Sequence, residues 1–221
     1  MLAIQVNKLG KKFNREWIFR NLSYDIKPGQ KLAILGGNGS GKSTFLQLIS
    51  GFVTPNEGGL VYSLSSTGTS SHSEEHIPSD KLKNHVAFAS PYLQLIEELT
   101  LEELVSHIGI YKPFAGKLSG SDILEKIELS HAAAKPVKQF SSGMKQRLKL
   151  GLALLSDTPL LLLDEPVSNL DRDAIAWYQR LIMEYTANRT VLVCSNAISD
   201  EYFFCTTSLN ISDYKPGAPK I

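Results

Sequence analysis

Apolar and polar positions alternate in short runs at the start of the chain. Residues 2–6 (LAIQV) and 17–26 (WIFRNLSYDI) have the mixed spacing of strands. The turn Lys27-Pro28-Gly29-Gln30 follows, because proline fixes φ and glycine permits φ > 0. Lys31–Leu35 (KLAIL) then reads as a short buried strand. A glycine-rich stretch separates it from the helix-like FLQLIS. Further along, Leu148, Leu152 and Leu155 fall on one helical face. Residues 159–165 (PLLLLDE) give an all-apolar run, the pattern of a central parallel strand. Ile175, Tyr178 and Ile182 form a core stripe in a helix DAIAWYQRLIMEY, with Asp171 as its candidate N-cap. Residues 190–195 (TVLVCS) supply one more strand.

Composition narrows the class. The 221 residues are 43% hydrophobic and 20% charged, as in an ordinary soluble globular protein. That excludes a disordered tail, a collagen-like rod and a disulfide-stapled miniature. Lys+Arg 23 against Asp+Glu 22 leaves a formal charge of +1, so bulk electrostatics favours neither nucleic acid nor an anionic membrane. No run approaches the roughly 18 apolar residues of a membrane span. The start MLAIQVNKLGKKF places its charges in the wrong order for a secretory signal. Cys194 and Cys205 lack a redox or zinc spacing and read as thiols kept reduced in a cytosol. The polar stretch 63–73 (SLSSTGTSSHS) reads as an exposed, mobile loop. His72 and His76 beside two glutamates lack a helix to make them a metal pair, and no metal is expected there.

The strongest chemical signal is Gly36-Gly37-Asn38-Gly39-Ser40-Gly41-Lys42-Ser43-Thr44, a P-loop set between a strand and a helix. Its glycines let backbone N–H groups turn inward around phosphate oxygens. The helix N-terminus adds partial positive charge at the same spot. Lys42 is placed to reach the β- and γ-phosphates, and the Ser43 hydroxyl to bind Mg²⁺. At the end of PLLLLDE, Asp164 is the candidate to hold Mg²⁺ through its water shell. Glu165 is the candidate base that orients and deprotonates an attacking water. Upstream, Phe140-Ser141-Ser142-Gly143-Met144-Lys145-Gln146-Arg147 opens a helix with a Ser/Gly turn.

Together these segments resemble the ATP-binding-cassette (ABC) ATPase family over nearly the whole chain. The order is P-loop (36–44), signature motif (140–144), Walker B (160–165) and D-loop (168–171). The resemblance implies an α/β P-loop NTPase with a mixed or parallel core sheet, an antiparallel β-subdomain and a short helical subdomain. The single ABC ATPase domain would run over 1–221, with 1–90 and 140–221 as nucleotide-binding core and 91–139 as helical subdomain. Phe13 stands where the family keeps an aromatic that stacks on adenine; the alternative is an ordinary core phenylalanine. The family mechanism packs two cassettes head to tail, so that Ser141, Ser142 and Gly143 of one meet the γ-phosphate held by Lys42 of the other. Asp171 belongs to the D-loop of that interface. ATP and Mg²⁺ are the implied ligands. A second cassette and a separate transmembrane permease are the implied partners, with no nucleic acid. The implied location is the cytoplasmic face of the membrane.

Three motifs depart from the family pattern. Ser142 and Met144 replace a glycine and a glutamine of the signature. Pro91 occupies the place of the Q-loop glutamine, with Gln94 as a nearby substitute. Asn196 stands at the switch-histidine position; it can donate a hydrogen bond to a γ-phosphate but cannot relay a proton. The expectation is ATP hydrolysis that is slow. Tyr92, Leu93, Leu95, Ile96 and Leu99 are candidates for the apolar groove that would grip a helix of the membrane subunit. The small size and the SSGMKQR signature look most like exporter-type cassettes, including those resembling the haem-exporter subunit. The rival readings are a soluble ABC ATPase outside transport and a nucleotide-gated binding subunit with little turnover.

Overall fold

The computed structural model describes residues 1–65 and 74–217. His72 and most of the serine-rich stretch lie outside the described residues. Strands β1 (Leu2–Phe13) and β2 (Glu16–Ile26) form a hairpin. With β4 (Glu57–Ser65) and β5 (Glu74–His76) they build an antiparallel sheet of order β2-β1-β4-β5. Strand β1 runs well beyond the alternating residues 2–6. Its pairing continues through register shifts after Val6, with Lys8 at φ +47°, so the strand bulges and the period-2 pattern breaks.

The second sheet has five strands: β3 (Lys31–Leu35), β6 (Val86–Ala89), β7 (Leu160–Asp164), β8 (Thr190–Ser195) and β9 (Thr207–Asn210). Their order is β6-β7-β8-β3-β9 and every pairing is parallel. Six helices accompany the sheets: α1 (Lys42–Ile49), α2 (Leu101–Tyr111), α3 (Gly120–Lys126), α4 (Ser142–Leu154), α5 (Arg172–Tyr185) and α6 (Ser199–Tyr202).

The leucine run of β7 shows why an unbroken apolar sequence suits a central strand. Leu160 and Leu162 join Leu32, Ile34, Phe45 and the β1 residues Leu2 and Ile4 on one side. Leu161 and Leu163 join Leu148, Trp177, Ile182 and Leu104 on the other. All four leucines are fully buried, each burial being worth about 2 kcal/mol. Residues 91–139 carry α2 and α3, and their Leu101, Val105, Ile123 and Ile127 pack into the same cluster as Leu161. This stretch has no separate core. Both of its helices start with a capping box, Thr100 with Glu103 and Ser119 with Asp122.

Arg189, only 6% exposed, fixes the far end of α4. Its guanidinium donates to Leu154 O (2.7 Å), Ala153 O (3.2 Å) and Thr158 Oγ1 (2.7 Å). A cation there suits the helix C-terminus, although burial pushes its pKa down to about 10. The Asp171 side chain caps α5 by accepting from the Ala174 N–H at 2.8 Å. Tyr178 and Ile182 of the expected stripe are buried, and Ile175 is half-buried. The parallel pairing collects the carboxyl ends of β3, β6, β7 and β8 at one edge, where open α/β sheets bind ligands.

Candidate nucleotide site

The loop between β3 and α1 is built on backbone shapes that side chains would obstruct. Gly41, the N-cap of α1, sits at φ +103°, and a Cβ there would lie 2.5 Å from Ile18 Cγ2. Gly39 is also left-handed, but no atom stands within 4 Å of where its Cβ would project. One glycine allows close packing underneath, and the other leaves open space above. That space is a cavity of about 310 Å³ lined by residues 38–44 with Ile18, Tyr92 and Glu165.

Lys42 is 5% exposed and folds over the loop. Its Nζ donates to Gly36 O (2.8 Å), Gly37 O (3.1 Å) and Asn196 Oδ1 (2.5 Å). The Asn196 amide uses both ends, since its Nδ2 donates to Asn38 Oδ1 (2.5 Å) and to Glu165 Oε1 (3.1 Å). A single neutral side chain thus joins the P-loop lysine to the carboxylate at the end of β7. Glu165 itself has φ +44°, uncommon for a residue with a Cβ. Its N–H donates to Cys194 O (3.0 Å), and its carbonyl accepts from the Ser168 N–H (3.1 Å).

Asp164 is 2% exposed. Burial pushes its carboxyl pKa up, as does the neighbouring Glu165, while the hydroxyls of Ser43 and Ser90 and the charge of Lys42 pull it down. Ser90 donates to Asp164 Oδ2 at 3.3 Å, and Oδ1 is buried without a hydrogen-bond partner among the described residues. An orphaned carboxylate oxygen beside the Ser43 hydroxyl is a hard-oxygen donor set, and it fits Mg²⁺.

The remaining expected site residues lie elsewhere. The Ser141 hydroxyl caps α4 by accepting from the Met144 N–H at 3.2 Å; Ser141 and Ser142 are exposed, and Gly143 is half-buried. None of them lines the P-loop cavity, and neither does Asp171. Phe13 sits at the turn of the β1–β2 hairpin, 47% exposed, with Lys11 Nζ 5.1 Å from its ring centroid. That exposure excludes the core reading of Phe13. Gln94 does not approach the P-loop; it lines a different, apolar cavity of about 360 Å³ with Leu93, Leu95 and Ile96. Tyr92, expected in that groove, faces the P-loop cavity instead, and Leu99 packs on the main core. At the Q-loop place Pro91 offers its carbonyl, which accepts from Lys149 Nζ of α4 at 2.5 Å.

Three residues of this region have no role in the sequence reading, Ser90, Ile18 and Gln146, and a fourth, Tyr92, has a different one. Ser90 had a signal, as a hydroxyl at the carboxyl end of a strand next to Pro91. Gln146 is buried and donates to Pro166 O at 3.0 Å.

A glycine loop on a parallel sheet, with carboxylates at the end of a strand one removed from it, defines a P-loop nucleotide-binding protein. Comparison with known proteins narrows this further. The family described as ABC transporter matches residues 19–168, about two thirds of the chain, and the chain belongs to that family. The ABC transporter ATP-binding protein YcbN of Bacillus subtilis (strain 168) is 31% identical over 199 residues. The match covers 89% of this chain and 62% of YcbN, so this chain spans less than two thirds of that relative. The lantibiotic transport ATP-binding protein SrtF of Streptococcus pyogenes is 28% identical, covering 89% of this chain and 81% of its own. Among solved structures, the ATP-binding cassette MJ0796, dimeric and bound to ADP and Pi, superposes with a TM-score of 0.75. At 24% identity and 95% coverage of both chains, it shares the fold.

Proposed function

We propose that this chain is the ATP-hydrolysing subunit of a transporter, working as a pair of cassettes beneath a separate membrane subunit. The observation that carries the reading is the joined set Lys42–Asn196–Glu165 around the P-loop cavity, with buried Asp164 beside it. The ATP triphosphate would take the place of Lys42's present acceptors, giving charge-assisted contacts. Ser43 and Asp164 would hold Mg²⁺, which would neutralise charge on the phosphate oxygens. Glu165 would take the proton of the attacking water. The Phe13 ring would stack on the base.

The signature residues Ser141, Ser142 and Gly143 do not reach their own chain's P-loop cavity. They would serve the cavity of a second cassette, presenting a helix N-terminus to the γ-phosphate. The D-loop, ending at Asp171, would line the same interface. Among the described residues no helix is long and apolar enough to cross a membrane. As a transporter's ATPase subunit the chain would sit on the cytoplasmic face, with Leu93, Leu95 and Ile96 toward the permease. Turnover would be slow, because Asn196 holds but cannot relay a proton. The size and signature favour an exporter-type cassette.

The decisive test is Glu165→Gln. It keeps size and hydrogen bonding but removes the base, which costs about 10²–10⁴-fold in rate. MgATP should then shift the variant from monomer to dimer in size-exclusion chromatography with light scattering, and MgADP should not. Wild-type turnover in this variant would refute Glu165 as the base. An inactive variant that stays monomeric even beside its membrane subunit would refute the paired cassettes.

A further inference from the structure

Helix α4 bears the signature residues at its start and, a turn later, Gln146. That side chain is 3% exposed, and its Nε2 donates to Pro166 O at 3.0 Å. Pro166 directly follows Glu165. Having no N–H, it offers the backbone only that carbonyl as an anchor. The same helix also passes close to the far end of the turn, since a Cβ on Gly143 would stand 3.3 Å from Asn169 O. The turn 165–169 is thus held by α4 through the Pro166 carbonyl, while the Glu165 N–H is pinned to Cys194 O of β8.

We infer that Gln146 is a positioning residue for Glu165, tying the carboxylate of one site to the signature helix that serves the other. The inference rests on the two-cassette reading above for its consequence, but the grip itself is a property of the single chain. Glu165 occupies a left-handed backbone shape that its own side chain does not favour, so its direction depends on what holds the next carbonyl. When the first turn of α4 is drawn toward a partner's triphosphate, Gln146 carries the Pro166 carbonyl with it. The carboxylate of Glu165 is then aimed only when the opposite site is filled. Neither Ser142 nor Met144, the altered signature positions, contributes to this link.

Gln146→Leu keeps the volume but removes the donor, leaving the Pro166 carbonyl unsatisfied. In hydrogen–deuterium exchange without nucleotide, amides 167–170 should exchange faster in this variant while those of the P-loop stay as in wild type. In turnover assays, kcat should fall about tenfold with KM and MgATP affinity within about twofold of wild type. Gln146→Glu adds a signature that a packing role would not produce. Only a protonated carboxyl can donate to Pro166 O, so its turnover relative to Gln146→Leu at the same pH should rise as the pH falls. Unchanged exchange at 167–170 would overturn the inference whether or not the wild-type chain hydrolyses ATP. So would a parallel loss of affinity, melting temperature and kcat with a flat pH ratio between the two variants. A wild-type chain without turnover, yet with faster exchange in Gln146→Leu, would keep the grip and sink the proposed hydrolysis.

Discussion

At the P-loop, Lys42 has three acceptors and Glu165 takes a hydrogen bond from Asn196. At the start of α4, the Ser141 hydroxyl takes the Met144 N–H, and the first amides of a helix have no acceptors within it. In the first region the lysine and the switch asparagine are bonded within the site; in the second, the Ser142 and Gly143 N–H groups have no acceptor within the helix. The difference teaches how labour divides between them. A lysine already bonded within its site must give up those bonds to admit a ligand, so only a ligand that repays them with charge-assisted contacts is favoured. A helix end without internal acceptors gives up only water, so it adds affinity where something negative is brought to it.

The largest expected effect on this contrast comes from the P-loop side. Lys42→Ala removes a charge-assisted contact worth about 1.5–3 kcal/mol, so MgATP affinity of the isolated chain should fall about 10- to 100-fold by calorimetry. Near-normal binding would dissolve the contrast, because the cluster would then contribute nothing to nucleotide recognition. The signature side should behave oppositely. Gly143→Asp brings a negative charge to the face meant for phosphate, and the isolated chain should still bind MgATP within about twofold of wild type. Combined with Glu165→Gln, the same substitution should abolish the MgATP-dependent dimer seen by light scattering. A fall in monomer affinity would show that the two regions are not separate. The smallest effect on binding is expected from Asn196→His. Nucleotide affinity should change little, while turnover should rise if asparagine limits the rate. Unchanged or lower turnover would mean that the cluster is built around an amide.

That cluster marks where sequence reading reaches its end. The P-loop was legible because backbone geometry dictates glycine there, as at Gly41 beneath Ile18, and phosphate chemistry calls for a cation beside it. Walker B was legible because a central strand buried on both faces favours an unbroken apolar run. Ser90 was not, since its contact with Asp164 exists only through the register that pairs Ala89 with Leu163. The family pattern calls for a glutamine at that place, and this sequence offers Pro91 with Gln94 three residues on. Gln94 failed because the chain after Pro91 runs along α2 and away from the loop. Tyr92 was assigned to the wrong cavity for the same reason: five residues of similar chemistry in a segment without periodicity give no sign of which way each faces. Asn196 was found by its place after β8, but its two-ended role needs the positions of Asn38, Lys42 and Glu165 together.

The division of the β7 leucines between two clusters has a mechanical meaning. A strand clamped on both faces by fully buried side chains, with a parallel neighbour on each edge, is the last part of such a domain to open. Its amides should be among the slowest to exchange in the molecule. Asp164 is the last residue of that strand, so its carboxylate is a fixed post, and Glu165, in the turn just beyond it, is the first residue free to be re-aimed. The motions proposed above would then be made about that post: the P-loop lysine releasing its acceptors, and the turn at Glu165 following the start of α4.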